Sequence, residues 1–160
     1  MKPAMKPAMK PAMKRGLLLF AHGARDARWA EPFEAVTERV RGLDATVSVQ
    51  LAFLEFMTPS LIDAGTALAA AGCERIDVVP LFLGAGGHVR KDLPALLGEL
   101  SAAHPGVQWQ LQGAIGARAS VIEAMARAAV ELADIDLAPD LAPDLAPDLT
   151  SAEPAGRPPA

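Results

Sequence analysis

Cysteine is almost missing from this chain: Cys73 is the only one in 160 residues. One thiol closes no internal disulfide and builds no multi-cysteine metal or iron–sulfur centre from a single chain. Following Ala71-Gly72 at an expected helix-to-strand junction, it reads as a small buried side chain. Long apolar runs are missing too, although hydrophobic residues make up 51% of the sequence. Nothing approaches the 18 or more consecutive apolar residues of a membrane span. The apolar stretch after the basic start, Leu17 to Ala21, is shorter than the core of a secretory signal, and proline punctuates the basic part. We therefore expect a soluble cytoplasmic protein with no targeting signal and no membrane partner.

An excess of positive charge is also lacking. The formal net charge is −4, whereas a nucleic-acid-binding domain is expected to be basic. The charge is unevenly placed: residues 1–15 carry +5, residues 16–133 carry −4 and residues 134–160 carry −5. Both ends are repeats, Met-Lys-Pro-Ala three times over residues 1–12 and Leu-Ala-Pro-Asp three times over residues 137–148. Proline at every fourth position removes backbone donors and blocks regular structure. Residues 1–15 and 134–160 are expected to be disordered tails around one folded domain over residues 16–133, a length with room for one real core.

What is present between the tails is alternation. Residues 16–21 read as a strand, and Trp29, Phe33, Val36 and Val40 then recur at helical spacing as one buried stripe. Residues 46–54 read as the second strand, and Thr58-Pro59 offers an N-cap with proline at the first helical position of a helix ending at Gly72. Residues 75–83 form a third strand, with Pro80 inside it requiring a bulge or a released pairing. Leu93, Leu96, Leu97 and Leu100 mark a third helix, and residues 107–112 and 118–133 repeat the pattern. Four βα units in series predict an α/β fold, a three-layer sandwich with a four-stranded parallel sheet flanked by helices.

His22, Glu55 and His88 follow the first three strands at intervals of 33 residues. A βαβ unit is about 30 residues long, so all three belong on the carboxyl edge of one sheet, where such folds bind ligands. A carboxylate between Leu54 and Phe56 at the end of an apolar strand is expected to be desolvated unless paired, protonated or metal-bound. A salt bridge to Arg25 or Arg90 would satisfy it. Two imidazoles beside it favour a divalent first-row ion instead. Gly23 lets the chain turn beside His22 with little bulk. Gly84-Ala85-Gly86-Gly87 lacks the spacing of a dinucleotide fingerprint, and no Gly-Lys-Ser/Thr follows, so no nucleotide cofactor is expected. His104 belongs to a turn on the opposite edge. No serine stands beside His22 or His88 for a Ser-His-Asp triad.

Arg25 and Arg28 follow the first strand, and Arg90 and Lys91 follow the third. Each alone reads equally well as a solvated helix end. Grouped beside a metal site, they point to an anionic ligand with several carboxylates.

The strings LLLFAHGARDARWAEPFE, FLEFMTPSL and VVPLFLGAGGHVRKDLPALL resemble the small, single-domain CbiX-type chelatases of the class II tetrapyrrole family. The resemblance covers about residues 15–132. It implies a sheet equivalent to one half of the larger two-domain chelatases, and a homodimer that rebuilds the cleft. The implied activity is insertion of a divalent ion into sirohydrochlorin, in cobalamin or sirohaem synthesis. Co2+ is the implied ion, with Fe2+ or Ni2+ as alternatives, and it enters as substrate. His22 and His88 match the family's metal histidines, and Glu55 its acidic partner. Arg25, Arg28, Arg90 and Lys91 would face the carboxylates of the macrocycle, and Phe56, Met57, Leu83 and Val89 its ring. The first motif reads His-Gly-Ala where many relatives have His-Gly-Ser. A noncatalytic metal- or tetrapyrrole-binding protein on the same fold is the alternative.

Overall fold

In the computed structural model the described residues are 12–84 and 86–136, without the side chain of His88. Both repeats fall outside them, save Ala12, and so does the expectation of disorder there.

β1 (Arg15–Ala21), α1 (Glu31–Leu43), β2 (Ser48–Phe53), α2 (Leu61–Ala70), β3 (Arg75–Pro80), α3 (Gly87–Ala103), β4 (Gln108–Leu111) and α4 (Ala119–Leu132) follow one another. The four strands pair in parallel in the order β2-β1-β3-β4. Leu18, Phe20, Ala52, Ile76 and Val78 meet α2 and α3 on one face of the sheet. Leu19, Val49 and Val79 meet Phe33 and Val40 of α1 on the other. β1 and β3 are thus covered on both sides, which is why β1 reads as an unbroken apolar run, and β3 as one broken by Asp77, rather than as alternating strands. β4, an edge strand, alternates exposed and half-buried residues. Two compact units, Met1–Ile122 and Glu123–Ala160, divide the chain within α4. In the second, Arg127 pairs with Glu123 at 2.9 Å.

Three local expectations need correction. Trp29 lies in a 3-10 turn (Ala27–Ala30) ahead of α1, so a stripe counted from it slips. The inward face is Phe33, Thr37 and Val40, spaced 4 and 3, while Val36 is exposed. Buried Thr37 satisfies its hydroxyl by donating to the Phe33 carbonyl at 2.8 Å. The cap of α2 is Ser60, whose hydroxyl accepts the Asp63 N–H at 3.1 Å. Thr58-Pro59 is a cis peptide upstream of the helix, with the Pro59 carbonyl accepting the Phe53 N–H at 2.9 Å. Gly72, by contrast, ends α2 at φ +88° as expected.

β3 stops at Pro80 instead of residue 83, and no bulge is needed. The N–H of Leu81 donates toward β1, to the Phe20 carbonyl at 2.7 Å. Alternate residues of a strand direct their N–H groups to opposite neighbours, so position 80 faces β4. There the ladder has already ended, with Val78 opposite Leu111. After the bond from the Gln112 N–H to the Val78 carbonyl, at 2.9 Å, the next rung would need a donor at position 80, so of the two expected outcomes the released pairing is the one found.

Candidate active site

β1 connects through α1 on one face of the sheet, and β3 through α3 on the other. The loops after these neighbouring strands therefore diverge and open a crevice at the carboxyl edge, the topological switch point at which sheets of this kind bind ligands. His22, the first residue past β1, stands there half-buried. Its imidazole lies against the ring of Phe82, with centroids 4.2 Å apart and planes tilted by 33°. Phe82 is itself core, 2% exposed.

The β1–β2 ladder continues one step beyond the strands. Leu54 N–H donates to the Ala21 carbonyl at 2.9 Å, and Glu55 N–H donates to the His22 carbonyl at 3.0 Å. Two of the three groups predicted to share an edge are thus joined through their backbones. Glu55 is exposed, not desolvated. The reason is topological: β2 is an edge strand, and it has ended before Glu55. The chain then reverses tightly at Phe56, with Met57 N–H donating to the Glu55 carbonyl at 2.8 Å.

Phe56 sits at φ +63°, a left-handed conformation in which a bulky residue is strained. Such strain persists only where the surroundings impose it, and it collects at functional sites. The ring is 58% exposed, and the Arg25 guanidinium carbon stands 4.9 Å from its centroid. A cation over the face of an aromatic ring is attracted by its quadrupole. Arg25 and Phe56 form one exposed plate beside Glu55.

Arg28 is held locally by Asp26, at 3.1 Å. Its hydrogen bonds keep the Asp26 carboxyl below the usual aspartate value. Arg90 borders a cleft of about 480 Å³, together with Phe82, Leu83, Leu111 and Gln112. Lys91, beside it in sequence, is exposed. Met57 is half-buried and packs with Ala21, Ala30 and Phe53, and Val89 is 1% exposed, so both belong to the core. Leu83, 67% exposed, remains on the rim. His88 is the second residue of α3, on the predicted edge, and its side chain lies outside what is described. Among the described residues no group of three or more His, Cys, Asp and Glu is arranged to hold a metal ion.

Phe82 and Gln112 were not anticipated. Gln112 follows β4 as His22 follows β1, and that position immediately after a strand was the available signal.

A model of the CbiX family matches residues 16–132. The chain belongs to the CbiX family. Among curated relatives, the sirohydrochlorin cobaltochelatase of Saccharolobus solfataricus is 37% identical over 83 residues, covering 52% of this chain and 63% of that one. The sirohydrochlorin cobaltochelatase of Methanopyrus kandleri is 32% identical over 82 residues, covering 51% and 57%. The matched stretch spans less than two thirds of the length of either. Among solved structures, a cobalamin (vitamin B12) biosynthesis CbiX protein from Marinobacter aquaeolei VT8 shares 36% identity at a TM-score of 0.66, over 75% of this chain and 98% of that one. The sirohydrochlorin chelatase SirB from Bacillus subtilis subspecies spizizenii, in complex with cobalt, superimposes with a TM-score of 0.67 at 24% identity, over 76% of this chain and 52% of that one. The likeness to SirB is one of fold. No helix among the described residues is long and apolar enough to cross a membrane.

Proposed function

We propose that this CbiX-family chain is a sirohydrochlorin metal chelatase of the cytoplasm, with the folded domain at residues 16–133 inserting a divalent ion into the macrocycle. The observation that carries this reading is the junction of His22 and Glu55 at the switch point, beside the exposed Arg25–Phe56 plate. Cobalt is the first choice of ion, since curated relatives at 37% and 32% identity are cobaltochelatases. Ligand type alone admits iron or nickel as well.

Insertion requires a hydrated ion to shed water, the ring to bend so that its pyrrole nitrogens face the ion, and two N–H protons to leave. Neutral His22, with His88 and Glu55, would hold the partly dehydrated ion. A histidine or Glu55, the latter open to solvent, would accept the protons. Arg25, with Arg90 and Lys91, would neutralise the carboxylates of the substrate, and Phe56 and Leu83 would lie against its ring. Arg28, engaged with Asp26, is a weaker candidate, and Met57 a core residue. No nucleotide is required by this chemistry.

One copy supplies a single wall. We therefore assign the working form to a homodimer in which a second copy closes the cleft. The match to nearly the whole Marinobacter chain but about half of SirB supports that pairing. Absorbance spectra of sirohydrochlorin with Co2+, followed in time with and without the protein, test the activity. Insertion no faster than the spontaneous reaction refutes it, and binding without acceleration would leave a noncatalytic carrier. Mass in solution tests the dimer.

A further inference from the structure

The close approach of His22 and Glu55 depends on Gly23. Its φ is +86°, and a Cβ there would overlap the Glu55 carbonyl oxygen. No side chain fits between these two backbones. The Glu55 backbone is held at three points: its N–H by the His22 carbonyl at 3.0 Å, its carbonyl by the Met57 N–H at 2.8 Å, and the oxygen end of that carbonyl by the close approach of Gly23.

We infer that Gly23 is a positioning residue, which locks His22 and Glu55 into one rigid unit by letting their backbones touch. It meets neither ion nor macrocycle; it sets where both functional groups start. A methyl group at position 23 has to push the Glu55 peptide away, which stretches the bond to His22 and releases Glu55 from its neighbour. The ladder below, from Leu17 opposite Val49 to Phe20 opposite Ala52, has no part in that collision. Misplacement of a reacting group by about 1 Å costs on the order of 100-fold in rate. The consequence for catalysis rests on the chelatase reading, but the clamp itself does not.

Gly72 provides the control. It has nearly the same backbone angle, φ +88°, yet a Cβ there would meet only the Lys14 side chain, at 4.0 Å. Gly72→Ala therefore imposes the same conformational strain without a backbone collision. Gly23→Ala and Gly72→Ala are compared with wild type by amide hydrogen exchange and by cobalt insertion into sirohydrochlorin. In wild type the Glu55 amide exchanges as slowly as that of Leu54. In Gly23→Ala it loses protection while the ladder amides keep theirs, and kcat falls at least tenfold with KM for sirohydrochlorin little changed. Gly72→Ala leaves the Glu55 amide and the rate as in wild type.

The inference is overturned if Gly23→Ala retains both protection and rate, or if Gly72→Ala loses them equally. Rapid exchange of the Glu55 amide in wild type also overturns it, and that measurement stands even should Gly23→Ala fail to fold. If wild type does not insert cobalt, the chelatase reading fails, whereas the exchange data still decide the clamp.

Discussion

The His22 imidazole rests on the ring of Phe82 at a centroid distance of 4.2 Å. A core aromatic thereby covers one face of the imidazole. His22→Ala is expected to fold, since His22 is only half-buried, and to lower cobalt insertion by on the order of 100-fold, as loss of an oriented group does. Insertion at the wild-type rate would remove His22 from the mechanism. Phe82→Leu keeps an apolar side chain but not the flat surface; kcat should fall more than KM changes.

The Glu55 carboxylate is exposed, so its charge is not a burden that burial must offset. Glu55→Gln preserves shape and backbone contacts while removing the charge. We expect unchanged thermal stability, weaker Co2+ binding by calorimetry and slower insertion. If affinity and rate both match wild type, Glu55 serves only through its backbone.

Much of this arrangement was legible from residue order. β1 announced itself as an unbroken apolar run, and β3 as one broken only by Asp77, because helices cover both faces of the sheet there, and the leucine stripe of α3 followed from its period. The 33-residue spacing pointed to one edge for His22 and Glu55 because each directly follows its strand, whereas His88 keeps the interval only by lying in the first turn of α3, well past the end of β3 at Pro80. The exposure of Glu55 was not legible, since it depends on β2 being an edge strand, and strand order is set by crossovers rather than local pattern. The contact of Gly23 with Glu55 was hidden for the same reason, since it arises between segments some 30 residues apart. The left-handed backbone of Phe56 belongs to a local turn, but one that the propensity of a bulky residue argues against.

Arg25 and Phe56 predict a division between binding and chemistry. Arg25→Ala removes a cation from the plate without touching His22 or Glu55, and so should raise KM for the polycarboxylate several-fold while kcat stays near wild type. Rising salt should weaken wild type more than the variant, because exposed charges are screened. A variant that changes kcat alone would contradict a binding role.

Asp77 tests stability apart from the site. It is 6% exposed and accepts hydrogen bonds from Arg15 and Gln112 at 2.8 Å and from Arg75 at 3.3 Å. Burial by itself would raise the carboxyl pKa, but the bonds from Arg15, Arg75 and Gln112 outweigh it and hold the value below that of an ordinary aspartate. A folded pKa below the unfolded one means that the ionised carboxylate stabilises the fold. This contribution is complete above the unfolded value of about 4 and is lost as pH falls through the folded value. Asp77→Asn should therefore be less stable than wild type at pH 7, by about 1–3 kcal/mol, the cost of breaking a buried charged hydrogen bond. The gap should narrow as pH falls below about 4. Urea unfolding of both proteins between pH 7 and pH 3 measures it. A gap that stays constant across that range would show that the Asp77 charge contributes nothing.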